Sequence, residues 1–340
     1  MSHHGKLIGQ CLTVAAVTAG AIGGAYCAFQ IYQNYYQKTK LPTEWTQVGT
    51  LSDLYIYPIK SCGPVVADRA ECSMLGLRDG WLRDRVLMVV DKNMNFVTAR
   101  AHPELLLVQP SVKGSVLTLQ HSDMEPLHLN LAEVIIRTKP KTAVVWGTQV
   151  PVYDCGYEPA EWFSRIMDKS SDNYRLVYYA SQKSRSLREA TSFYSFYKFR
   201  KNDTGALPDE VSFNLINDAS VDDLNKRLVD CKVSHRNFRP NFVLKGAQPY
   251  DEDKWKFVKI GDHVYEIIKP CGRCILTTID PETGVRNAKT EPLETLKSYR
   301  QVSDPEERKA AGSSPRMGLQ MALRSEPGGM VSLNDPIYVA

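Results

Sequence analysis

Apolar and polar positions alternate in short runs along most of this chain, with the period of strands rather than helices. Segments 54–57, 86–90, 95–98, 105–108, 116–119, 134–137 and 144–152 are apolar or alternating, and Gly, Pro, Asn or Asp punctuates them. That pattern predicts β-strands. A second set follows at 241–244, 257–260, 264–268, 275–279 and 337–339. Helical spacing is confined to three places. Segment 159–167 puts Trp162, Phe163 and Ile166 on one face, with Pro159 in the first turn. Segment 220–228 opens on Ser220 and Asp223 in capping-box spacing and turns Val221, Leu224 and Leu228 inward. Segment 293–300 does the same with Leu293 and Leu296. Many strands and isolated helices predict an α+β fold, β-rich and barrel-like, and exclude a doubly wound sheet. No internal repeat is present.

The N-terminus breaks the pattern. Residues 7–29 contain no Asp, Glu, Lys or Arg, and about 20 residues suffice to cross a bilayer as a helix. Gly20 and Gly24 stand in small-xxx-small spacing, which a segment so rich in Ala and Gly produces by composition alone. A cleaved secretory signal, with Ala25 and Cys27 before the cut, is the competing reading. The apolar run exceeds the roughly 7–15 residues of a signal core. Lys38 and Lys40 follow it and only Lys6 precedes it, so the positive-inside rule puts the body of the protein on the cytosolic side. The resulting organisation is a signal-anchor in 1–38 with one transmembrane helix at 7–29, a linker at 39–49, and two interlocked β-rich domains at 50–180 and 181–340.

Composition narrows the function classes. The 340 residues are 43% hydrophobic and 24% charged, which excludes a disordered chain and a polytopic membrane protein. Net charge is +4, from 42 basic and 38 acidic residues, too balanced for a general nucleic-acid binder. The eight cysteines are scattered, which favours a reducing compartment. One basic and aromatic stretch, 183–201, interleaves Lys183, Arg185, Arg188, Lys198, Arg200 and Lys201 with Phe193, Tyr194, Phe196, Tyr197 and Phe199. It reads as a solvated loop over packed aromatics, as a docking surface for an acidic partner, or as a single-strand grip. The anchor and the charge balance argue against the last.

Candidate chemistry begins at Cys271-Gly272-Arg273-Cys274. A structural zinc site needs a second pair of ligands, and none is present. A redox couple lacks its usual βαβ setting. A single thiolate, favoured by the adjacent Arg273, would suit a soft, redox-active metal. Basic residues also stand at strand edges: Lys60 with Ser61, Arg83 and Arg85, and Arg239 with Asn241. Together with Arg273 they would serve a highly anionic ligand wherever they converge. No glycine-rich nucleotide loop and no HExxH motif occurs.

Tyr57-Pro58-Ile59-Lys60-Ser61-Cys62, Gly76-Leu77-Arg78 and Leu82-Arg83-Asp84-Arg85 resemble the N-terminal β-barrel of MOSC-domain proteins. Asp218-Ala219-Ser220, Phe238-Arg239-Pro240-Asn241, Glu252-Asp253-x-Trp255 and the run from Arg273 to Pro281 resemble the MOSC domain itself. Pro292 to Arg300, Ser314-Pro315 and Asp335-Pro336-Ile337-Tyr338 complete it in order. With the anchor, the whole is similar to the mitochondrial amidoxime-reducing components. The resemblance implies a molybdenum–molybdopterin cofactor, with Cys274 as the protein's ligand to the metal and the catalytic residue. Lys60, Ser61, Arg85, Arg239 and Arg273 would grip its phosphate and pterin, with Asn241 nearby. Ser212 would join them from the segment 209–212, and Cys271 takes no role.

The implied reaction is a two-electron reduction of N-hydroxylated compounds (amidoximes, hydroxylamines and nitrite), the oxygen leaving as water. Electrons would come from NADH through cytochrome b5 reductase and cytochrome b5, at the mitochondrial outer membrane facing the cytosol. The resemblance also carries a family-level association with pyridoxal phosphate binding. The alternative is a cofactor carrier without turnover. Segment 182–208 departs most from the family pattern.

Overall fold

The computed structural model describes residues 41–167, 173–185, 196–197, 199–200 and 203–340. Seven strands close a barrel. Around the wall run Phe242–Lys245, Phe213–Asn217, Arg316–Leu323, His263–Gly272, Phe257–Ile260, Pro336–Val339 and Thr46–Ile56, and the last pairs back onto the first. All neighbours are antiparallel except Phe213–Asn217 and Phe242–Lys245, which are parallel and joined over the helix Asp218–Arg227; parallel neighbours need such a crossover. Inward-facing alternate residues fill the barrel, among them Leu51, Leu54, Phe213, Leu215, Phe242, Tyr265, Met321 and Ile337. The Phe213 and Phe242 rings stack at 5.8 Å, with Tyr265 edge-on to both.

A second apolar core lies in the segment between the first two barrel strands. The sheet Lys141–Val145, Thr148–Asp154, Tyr174–Tyr178 and Leu87–Asp91 and the meander Gln109–Lys113, Val116–His121 and Met124–Asn130 enclose it. Trp162 and Phe163 of the helix Tyr157–Met167 are buried in it. A small sheet of Met330–Ser332, Arg69–Ser73, Gly76–Asp79 and Leu82–Arg83 runs beside the barrel strands.

The strand-rich reading holds, with local corrections. Segment 134–137 is not a strand but the end of the helix Leu131–Arg137, which Asn130 caps by accepting from Ala132 N at 3.1 Å. Segment 105–108 lies largely in a 3-10 helix, Pro103–Leu107, started by its proline. Segment 275–279 is likewise a 3-10 turn, Ile275–Thr278, whose two threonine hydroxyls fold back onto Cys274 O and Ile275 O. The run 144–152 is a hairpin, broken at Trp146 and Gly147, both with positive φ. Segment 95–98 makes only isolated bridges.

The second helix begins earlier than its spacing suggests. Asn217 caps it, and Ser220 Oγ donates instead to the fully buried Glu252 at 2.8 Å. Burial pushes the Glu252 carboxyl up, against the Asn217 and Ser220 hydrogen bonds. Strands 213–217 and 316–323 escaped the reading; glycine and polar residues interrupt their apolar pattern. The expected anchor at 7–29 lies outside the described residues. Among those described, no helix is long and apolar enough to cross a membrane.

Candidate anion and thiol site

Three of the residues singled out in the sequence have left-handed backbone: Ser61 at φ 73°, Arg85 at 46° and Arg239 at 51°. Such a conformation costs a non-glycine residue about 1–3 kcal/mol and persists only where the surroundings impose it. Here they do. Arg85 N donates to Tyr57 O at 2.7 Å and Arg85 O accepts from Leu207 N at 3.0 Å. Arg239 ends the 3-10 helix His235–Phe238 as a left-handed cap. The result sets both guanidinium groups against the ring of Tyr57, at 4.8 Å for Arg85 and 4.3 Å for Arg239.

Beneath them lies a saturated network. Asp84, 2% exposed, accepts from Tyr57 N, Asn241 Nδ2 and Arg85 Nη1. Asn241 Nδ2 donates also to Tyr55 O at 3.1 Å, and its Oδ1 accepts from Asn214 N at 3.2 Å. Both donors of the Asn241 amide are therefore engaged within the protein. Arg273 is engaged too: Nε donates to Met317 O at 2.7 Å, Nη1 to Phe238 O at 2.9 Å and Nη2 to Asn214 Oδ1 at 3.4 Å. Gly318, at φ 76°, makes room for it; a Cβ there would meet Leu215 O at 2.5 Å and Arg273 Nη2 at 3.2 Å. Ser212 Oγ is buried and donates to backbone carbonyls, Met74 O at 3.2 Å and Asp203 O at 3.3 Å.

Of the two arginines set against Tyr57, one buried donor is left over. Arg239 Nη2 is buried with no hydrogen-bond partner among the described residues. Burial and the neighbouring Arg85 together pull the Arg239 guanidinium down to about 10, against the opposing pull of Tyr57. Native interiors rarely leave such a group unsatisfied, and an anionic ligand meets the requirement.

The second corner holds Cys274, which is half-buried. Its sulfur accepts from Arg100 Nε at 3.3 Å, and Arg100 Nη2 donates to Asp209 Oδ2 at 2.8 Å. Asp209 also takes the Lys60 ammonium and the Trp146 indole N–H, the latter at 3.0 Å. The Arg100 guanidinium lies over the Trp146 ring at 5.3 Å. Burial pushes the Lys60 ammonium down to about 8, against Asp209. Burial works against ionisation of Asp209 as well, but the charges of Lys60 and Arg100 win and hold its carboxyl well below the usual carboxylate range.

The cation that touches Cys274 is thus Arg100, and the guanidinium of the adjacent Arg273 is committed to carbonyls on the barrel. Arg100 and Trp146 were missed by sequence reasoning. A lone arginine after Thr98-Ala99 carries no signal, although the Trp146-Gly147 pair marks a tight turn. Cys271 is 6% exposed, its thiol pushed up by burial, and it accepts from Gln320 Nε2 at 3.6 Å. Among the described residues no three His, Cys, Asp or Glu side chains gather to hold a metal. A metal at Cys274 would take its remaining ligands from a bound group.

The segment 183–201 falls mostly outside the described residues. Of its described members, Arg185 is buried and donates to Pro208 O at 2.7 Å, and Arg200 pairs with Glu266.

Residues 48–170 match the model of the MOSC N-terminal beta barrel domain, and residues 202–338 that of the MOSC domain. The chain is 41% identical to mitochondrial amidoxime-reducing component 1 of Homo sapiens, over 86% of this chain and 83% of that protein. It is 40% identical to amidoxime reducing component 2 of Bos taurus and 40% to component 1 of Mus musculus, with the same coverage of each. The matched span takes in both corners of the site, and on that likeness the chain belongs to the amidoxime-reducing-component family of MOSC-domain proteins.

Proposed function

We propose that the protein is a molybdenum-cofactor-dependent reductase of N-hydroxylated compounds. The observation that carries this reading is the pairing of a soft, half-buried sulfur, Cys274, with a cationic cradle holding an unsatisfied buried donor, Arg239 Nη2. A thiolate suits molybdenum, and arginines suit the phosphate of its pterin. When bound, the cofactor supplies the two-electron redox chemistry. The chain's own residues do the rest. Arg85 and Arg239 hold the anionic end, Lys60 and Ser61 flank it, and Asn241, Asp84 and Arg273 fix the backbone that presents it. Cys274 provides the protein's ligand, oriented by Arg100. Ser212 acts through its backbone segment, since its hydroxyl is spent on carbonyls.

The relatives' names support amidoximes as substrates and a mitochondrial location. Electron supply through cytochrome b5 and its NADH-dependent reductase, with the outer membrane reached through residues 7–29, belongs to the same proposal. The test is metal analysis of purified protein together with reduction of benzamidoxime by a small artificial reductant. Molybdenum near one per chain with turnover supports the reading. Molybdenum that exchanges freely, without turnover, would make the protein a cofactor carrier, and absence of molybdenum overturns both.

A further inference from the structure

Tyr57 follows directly on the first barrel strand and is 1% exposed, in an apolar cluster with Ile216, Leu224, Phe238 and Met317. Its backbone is engaged on both sides: the N–H donates to Asp84 Oδ1 at 2.9 Å and the carbonyl accepts from Arg85 N at 2.7 Å. Its hydroxyl is not. That oxygen is buried with no hydrogen-bond partner among the described residues, whereas a buried phenol ordinarily has one. Phenylalanine would fill the same space without an orphaned O–H, so packing does not account for tyrosine here.

The charge around the hydroxyl is mainly positive, with Asp84 acting against it. Arg239, Arg85 and Arg236 all act on it electrostatically, the first two from against the ring itself. Two of the three carry unpartnered buried nitrogens of their own, Arg239 Nη2 and Arg236 Nε, although Arg236 Nη1 pairs with Glu282. Three buried donors lack acceptors, two of them on Tyr57 and on the Arg239 stacked against its ring, and an oxyanion would match them.

We infer that the Tyr57 hydroxyl donates a hydrogen bond to a phosphate group of the bound ligand, forming an oxyanion subsite with Arg239 and Arg236. The inference rests on the function proposed above only for the ligand's identity, a phosphate monoester; the need for an oxyanion stands on the three orphaned donors. Tyr57 belongs to the binding machinery rather than to the core, and Arg236 extends that machinery beyond the residues its motif suggests.

The experiment uses the full chain freed of cofactor, with inorganic phosphate as the probe and thermal unfolding as the readout. Without phosphate, Tyr57→Phe melts at or above the parent, because it removes an unsatisfied buried group. Its apparent affinity for phosphate, from the dependence of melting on concentration, falls about tenfold, the value of one hydrogen bond to a charged group. Arg236→Gln loses a smaller part of the same response. Molybdenum retained per chain after purification falls in Tyr57→Phe as well. A variant that melts below the parent without phosphate, or responds to phosphate as the parent does, overturns the inference; so does a parent that does not respond. A parent that binds phosphate through Tyr57 but never carries molybdenum leaves the subsite standing and overturns the cofactor reading instead.

Discussion

The cradle around Tyr57 and the corner around Cys274 are built on opposite plans. The cradle is rigid by redundancy: Asp84, Asn241, Asn214 and Arg273 bond one another and the backbone of several barrel strands. The thiol corner hangs on few contacts. Arg100 reaches Cys274 with one nitrogen and Asp209 with another, under a half-exposed Trp146. Redundancy holds a ligand in one place, whereas a sparse shell leaves a side of the sulfur accessible. On the proposed function, the comparison separates residues that would retain the cofactor from residues that would tune its reacting end.

The sharpest test lies within the CxxC. Cys274→Ala should lower N-hydroxy reduction by orders of magnitude while the phosphate contacts persist. Cys271→Ala should cost at most about 1–2 kcal/mol of stability and little turnover. Parallel molybdenum and rate measurements decide it, and comparable damage from both would sink the ligand assignment. Next comes Arg100→Ala, which should lower turnover about 10–100-fold, the usual effect of losing a partner that orients a ligand, with a near-parental melting temperature. Asn241→Ala should do the reverse in kind. It strips a partner from Asp84, from Tyr55 O and from Asn214 N, and a denaturant titration should show a loss of about 2–3 kcal/mol. If Arg100→Ala unfolded the protein, or Asn241→Ala cost only activity, the division between the two regions would fail.

The smallest effect concerns pH. In the fold the Asp209 carboxyl stays ionised well below its ordinary value of about 4. Its contribution to stability is therefore complete above that value and drains away as pH falls below it. Asp209→Asn should be less stable than the parent near neutral pH, and the gap should close in acid. Urea midpoints across that range would show it. A constant gap would mean that Lys60 and Arg100 do not hold the carboxylate.

The site was legible in the sequence to the extent that its residues sit within two residues of proline, glycine or aspartate at strand ends: Lys60, Arg85 and Arg239 all carry that mark. Their roles were less legible. Asn241 and Arg273 look like ligand contacts, yet their side chains spend every donor or nearly so on the protein. Arg100 and Trp146 come from a stretch whose pairing with Cys274 exists only after the two cores assemble, so no local pattern announces them. In the fold, 134–137 and 275–279 misled for a related reason. Short apolar runs do not distinguish a strand from one or two helical turns, and caps such as Asn130 decide the matter.

The closure of the barrel also has a temporal meaning. Thr46 pairs with Val339 and Leu54 with Phe242, so the first strand to leave the ribosome must wait for the last before both its edges are covered. Contacts so distant along the chain slow folding and prolong exposure of unpaired strand edges. Tyr57 and Lys60 follow that waiting strand, and Arg239 and Asn241 precede its partner. The cradle is therefore assembled when that strand pairs with Phe242–Lys245, and in a nascent chain it is incomplete until Arg239 and Asn241 have been made.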